Sequence, residues 1–142
     1  MHGMKQRMER LVVRTEGRQL VDLTGRVATI VRESKLSEGL VTVFVRHTSA
    51  SVIVQENADP AVLRDLERFF ARLVPDGDRI YEHVEEGPDD MPAHVRAALT
   101  ATQVAIPFTD GELLLGTWQA LYLFEHRHAP HRREIVVHVL GE

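Results

Sequence analysis

At 142 residues, with 44% hydrophobic and 27% charged side chains, the chain is long enough to bury one core and too apolar to remain disordered. A formal charge of −4 removes any general attraction to nucleic acid or anionic membrane, and the lack of cysteine excludes disulfides, thiolate metal sites and a cysteine nucleophile together. No apolar run reaches the roughly 18 residues that span a bilayer and the opening segment lacks the apolar centre of a secretory signal, so one cytoplasmic domain over residues 1–142 is the expectation.

Residues 1–9 are polar and read as a loose lead-in. Leu11 to Val13 and Leu20 to Leu23 read as two short strands around a turn at Glu16 to Arg18. Thr24 suits the N-cap of a helix in which Val27, Ile30 and Val31 recur at three- and four-residue spacing, ending near Gly39. GLVTVFVRH is the clearest strand of the first half, with Val41, Val43 and Val45 on one face and Thr42, Phe44 and Arg46 on the other. A second strand covers Ser51 to Gln55. Asp59 before Pro60 then opens a helix, an acceptor at the cap and a ring tolerated in the first turn. Its apolar stripe is Val62, Leu63, Leu66, Phe69, Phe70 and Leu73, and it stops at Pro75.

The segment YEHVEEGPDDMP is acidic, aperiodic and twice interrupted by proline, which predicts a loop. A short helix after Asp90 carries His94, Val95, Ala98 and Leu99. Beyond it the pattern is all strand: Gln103 to Phe108, a turn at Thr109 to Gly111, Leu113 to Thr117, Trp118 to Glu125, and Arg133 to Leu140. The order predicts an α+β fold, an antiparallel sheet arrangement with two or three helices, because the second half lacks the alternation of a doubly wound sheet.

Candidate chemistry concentrates in the histidines, eight in all. His47 ends a strand, His83 and Glu85 share one side of an extended segment, and His94 follows near a helix start; three imidazoles and a carboxylate suit Zn²⁺ or a similar divalent ion. Surface histidines paired with nearby acids are the plainer alternative. Glu56, Asp59 and Asp65 are an acidic group, in which Asp59 has a sufficient task as a cap and Asn57 can orient a ligand. The run from His126 to Arg133 is the one basic patch, either a phosphate site or a solvated turn balanced by Glu82, Glu85, Glu86, Asp89 and Asp90. Trp118 reads as core on frequency. Gln119 and Glu125 share strand parity with Leu121 and Leu123, so an amide and an acid fall on an apolar face and need partners. No P-loop, dinucleotide fingerprint or GxSxG elbow is present.

Taken together, several blocks in order resemble the YjbQ-like proteins, described as secondary thiamine-phosphate synthases. They are His47-Thr48-Ser49-Ala50-Ser51, Glu56-Asn57 with Asp59-Pro60, Asp65 with Glu67-Arg68-Phe69-Phe70, and Val74-Pro75-Asp76. Tyr81-Glu82-His83, Asp89-Asp90-Met91-Pro92 with His94, Gly116-Thr117-Trp118-Gln119, Glu125-His126-Arg127 and Gly141-Glu142 complete the set. Gln55, Ala101 and Pro88 depart from common residues of the family.

The resemblance implies an α+β sheet sandwich, a homotrimer about a threefold axis, and a metal site built from His47, His83 and His94. Glu56, Asp59, Asp65 and Glu85 would serve as supporting or catalytic acids. Thr48, Ser49, Asn57, Thr117, Trp118, Gln119, Arg127 and Arg132 would hold the substrate and its phosphate, with Arg133 beside them and Zn²⁺ or Mg²⁺ as the ion. In a trimer, Trp118 and the acidic loop would meet a neighbouring subunit. The implied reaction joins hydroxymethylpyrimidine diphosphate to thiazole phosphate and releases pyrophosphate. A metal-dependent hydrolase of a phosphorylated small molecule and a non-catalytic metal- or ligand-binding trimer are the alternatives.

Overall fold

In the computed structural model, which describes residues 3–142, the chain runs β1 (Lys5–Arg14), β2 (Gln19–Asp22), α1 (Thr24–Ser34), β3 (Gly39–Val45), β4 (Ala50–Glu56), α2 (Pro60–Leu73), α3 (Asp90–Leu99), β5 (Gln103–Thr109), β6 (Glu112–Leu113), β7 (Gln119–Glu125) and β8 (Arg132–Gly141). A five-stranded sheet has the order β1-β8-β3-β5-β6 and a three-stranded sheet the order β2-β7-β4. All the strand pairings are antiparallel, so the architecture is α+β as the element order implies.

Period-two alternation builds the core. Val41, Val43 and Val45 of β3, and Ile135, Val137 and Val139 of β8, turn the same way and are buried. Leu121 and Leu123 of β7 with Val52 of β4 meet them from the smaller sheet, and Val27, Ile30 and Val31 of α1 join the same cluster. On the other side of β7, Phe124 packs edge-on against Phe70 of α2, ring centroids 5.6 Å apart. No residue of α2 is fully buried, although its apolar stripe is as periodic as the sequence suggests. At the far end of β3 and β8, Gly39 lies opposite Gly141, and a Cβ at Gly39 would drive into the Leu140 carbonyl.

Three expectations are corrected. Lys5 to Glu9 are strand, not lead-in, because β1 pairs with β8 from Lys5 opposite Gly141 to Arg14 opposite Arg132; residues 1–2 lie outside the described residues. Thr24 is the first residue of α1 and does not cap it: Asp22 Oδ1 accepts from the Thr24 N–H at 2.8 Å, while Thr24 Oγ1 accepts from Leu121 N at 2.9 Å. The strand expected at Leu113 to Thr117 is reduced to the two residues of β6. Asp59, by contrast, caps α2 as read, accepting from Ala61 N at 2.9 Å.

Candidate metal centre

Asp90 and His94 stand one turn apart on α3, so their side chains project from one face. The loop before the helix brings His83 to the same point. His83 Nε2 lies 2.7 Å and His94 Nε2 3.1 Å from Asp90 Oδ2. One ligand atom from each of the three residues falls within 4.8 Å of the others, close enough to share one ion.

Neighbouring groups fix the orientation of each donor. His94 Nδ1 lies 2.9 Å from the Thr48 carbonyl, which can only accept, so Nδ1 donates there; this holds Nε2 toward Asp90 Oδ2, where a bound ion would take its lone pair. Asp90 is 2% exposed, and its second oxygen accepts from Arg127 Nη1 at 2.7 Å. Burial would raise the Asp90 carboxyl, but hydrogen bonding to His83 and the Arg127 charge outweigh it and hold the group below the usual carboxylate range. Arg127 also donates to Asp89 Oδ2 at 3.1 Å and the Glu86 carbonyl at 2.9 Å, clamping the loop to the end of β7.

A cleft of about 490 Å³ opens beside His94, lined by Phe44, Val45, Arg46, His47, Thr48, Ala97, Ala98 and Thr102. His47 lines the cleft and stays outside the trio: its Nε2 accepts from the Glu134 N–H at 2.7 Å. Burial and then the Arg133 charge lower its pKa, so the ring is neutral with its proton on Nδ1. Thr48 contributes its carbonyl to His94, and its exposed side chain borders the cleft. Arg132 is exposed and pairs with no carboxylate among the described residues.

Other expected site residues have different surroundings. Ser49 is buried, and its Oγ and carbonyl accept from Arg133 Nη2 at 3.0 and 3.1 Å. Arg133 is itself committed to Glu125, at 2.7 Å from Nε and 2.5 Å from Nη2, and Thr15 Oγ1 donates to the same carboxylate at 2.7 Å. These contacts are the partners that Glu125 needs on its apolar face. Glu56 Oε2 accepts from Ala58 N and Asp59 N at 2.6 and 3.0 Å, shaping the entry to α2. Asn57 Nδ2 donates to the Thr117 and Gln119 carbonyls, both at 3.3 Å, and Gln119 Oε1 accepts from Gly116 N at 2.8 Å. This group lies at the far end of β4, about 20 Å from the Ala50 end by strand rise. Trp118 is 63% exposed and not core. Asp65 is a surface residue 3.3 Å from Arg68, and Glu85 is an exposed loop residue outside the cluster.

The family model described as UPF0047 protein YjbQ-like matches residues 9–142. The chain belongs to this YjbQ-like family. It is 55% identical over 138 residues to a UPF0047 protein of Synechocystis, covering 97% of this chain and 94% of that one. It is 43% identical over 108 residues to YjbQ of Escherichia coli O157:H7, covering 76% and 78%. The crystal structure of a YbjQ-like protein of unknown function from Sulfolobus solfataricus superposes with a TM-score of 0.90 at 27% identity, covering 99% of this chain and all of that one. In this YjbQ-like chain the sequence reading finds His83 and His94 and overlooks Asp90 as their partner. Asp90 and His94 are spaced i, i+4, but the expected helix begins after Asp90, which leaves the carboxylate a flank of the helix and not part of its face; α3 in fact starts at Asp90.

Proposed function

We propose that the protein is a divalent-metal-dependent enzyme acting on a phosphorylated small molecule, with a thiamine-phosphate synthase-type transfer as its reaction. The observation that carries the metal reading is the pinning of His94 Nδ1–H to the Thr48 carbonyl, which leaves Nε2 directed at Asp90 and His83. Two imidazoles and one carboxylate are a donor set that leaves a coordination position for a non-protein ligand. Zn²⁺, which suits two imidazoles and a carboxylate where Mg²⁺ prefers oxygen ligands, would supply Lewis-acid stabilisation of a departing diphosphate when held by His83, Asp90 and His94.

The remaining work falls to the chain. Phe44, Ala97 and Ala98 offer an apolar wall to a ring, and His47 presents an N–H as a donor and not a base. Arg132 is free to neutralise a phosphate, and Arg46, which borders the cleft, shares Glu134 with Arg10. Arg127 and Arg133 are occupied by Asp89, Asp90 and Glu125, so they orient the site instead of gripping substrate.

Homotrimer formation belongs to the same reading. Val12, Leu40, Phe44 and Leu140 are each 38% to 42% exposed on the outer face of the five-stranded sheet, and Phe44 belongs to both that face and the cleft. Copies packed on this face would close the cleft, which makes the site a shared one. Hydrolysis of a phosphoester is the second reading, favoured by the same donor set because a water in the open position would be the nucleophile.

Metal analysis of freshly purified protein, followed by an assay for thiamine phosphate from the two precursors and a phosphatase panel, tests these readings. Asp90→Asn is expected to lose the metal and to lower activity by about 100-fold or more. Full metal content or full activity in that variant would sink the site. Phosphatase activity without transfer would select the second reading, and retention of metal with neither activity would leave a binding protein.

A further inference from the structure

Between α2, α3 and the end of β7, four buried polar atoms have no partner among the described residues: Arg96 Nε and Nη2, Glu67 Oε2 and His126 Nδ1. Arg96 and His126 are both 0% exposed. Arg96 Nη1 donates to Glu67 Oε1 at 2.8 Å, and no other charged group acts on the His126 ring as strongly as Arg96. Buried donors and acceptors are rarely left without partners, a guanidinium least of all, and four on residues that already act on one another point to a ligand from outside the protein.

Proton positions decide what that ligand is. The Thr100 hydroxyl has one proton and lies 2.8 Å from the Arg96 carbonyl, which can only accept. The 2.6 Å contact between the Thr100 and Ser51 hydroxyls is then donated by Ser51. Ser51 Oγ in turn accepts from His126 Nε2, 2.8 Å away, leaving Nδ1 as a bare lone pair. Burial and the Arg96 charge lower the His126 pKa to about 3, so the ring stays neutral. The cluster therefore presents two donors on one edge of Arg96 and two acceptors, His126 Nδ1 and Glu67 Oε2. An anion would meet the lone pair and the carboxylate oxygen; a cation would meet the guanidinium. A water accepts twice and donates twice.

We infer that a buried water binds among Arg96, Glu67 and His126 and fastens α3, the helix bearing Asp90 and His94, to α2 and β7. The binding of the water stands on its own; its bearing on the metal ligands rests on the metal reading above. A crystal structure of the full chain grown with bromide in the solution tests the occupant. A peak within hydrogen-bond distance of Arg96 and His126 Nδ1, without bromide anomalous signal, is expected. A bromide peak or a dry cluster would overturn it. Nitrogen-15 spectra of His126 give a second reading: a protonated Nε2 and an unprotonated, hydrogen-bonded Nδ1 are expected, and the opposite tautomer would refute the assignment.

Zinc titration of Arg96→Met tests the fastening and is expected to show about tenfold weaker binding. Unchanged affinity would remove that role. Failure of the unaltered protein to bind zinc at all would remove the metal reading and leave the density peak as the judge of the water.

Discussion

His126 shows at the scale of one residue how far position overrides identity. In sequence it opens a basic run; in the structure it is a neutral core residue, pushed down to about 3 by burial and the charge of Arg96. The unfolded chain carries an ordinary histidine with a pKa near 6.5. As pH falls below that value, the unfolded state takes up a proton that the folded state refuses, and stability declines by about 1.4 kcal/mol per pH unit until the folded group also titrates. His47, also lowered, adds loss of the same sign. The depressed carboxyls of Asp89, Asp90 and Glu125 act later: their stabilisation is complete above the usual carboxylate range and is lost as pH falls through their folded values. Urea unfolding of His126→Asn between pH 6.5 and 5 should show a pH slope shallower than the parent by up to about one proton. An unaltered slope would mean that His126 is not the group responsible. Single residues were also the least legible scale in the sequence. Spacing exposed His83 and His94, but the burial of Arg133 and Ser49 depends on contacts between β8, β7 and the turn before β4, which no local pattern encodes.

At the scale of elements the periodicities carry most of the information. Alternation marks β3 and β8 because one face of each meets the core, a continuous apolar run marks β7, which is buried on both faces, and a proline after an aspartate marks the start of α2 because cap and first turn are local chemistry. The first half of β1 escaped notice for the complementary reason: KQRMER is largely solvent-facing on an edge strand, and only distant pairing with β8 makes it extended. Periodicity also fails to say how deeply a stripe is buried. Leu121 is 0% exposed, whereas Phe69 on the strongly amphipathic α2 is 49% exposed. Leu121→Ala should therefore cost about 2–5 kcal/mol in urea unfolding. Phe69→Ala should cost well under half as much despite the larger deletion. Equal costs would imply that α2 is covered by something in solution.

For the whole molecule, the outer face of the five-stranded sheet sets the question. Among the described residues no helix covers it: Leu40 lies opposite Leu140 and Phe44 opposite Val136, while Met8 and Val12 extend the apolar surface onto β1. The element order predicts an antiparallel sheet arrangement with helices, yet it leaves the uncovered face undetermined, because packing between copies leaves no trace in one chain's periodicity. If copies associate here, Phe44→Asp should convert the assembly to monomers in light scattering, with the fold preserved by circular dichroism. An unchanged oligomer would move the interface elsewhere. Among the described residues no helix is long and apolar enough to cross a membrane. Three successive residues at the end of β7 finally bind the molecule into one unit: Glu125 grips Arg133, His126 reaches Ser51, and Arg127 holds Asp89 and Asp90. The length of this short segment is thus a constraint separate from its composition. A one-residue insertion between Phe124 and Glu125, even of alanine, would exchange inward and outward directions and detach the core acid, the buried ring and the loop clamp in a single event.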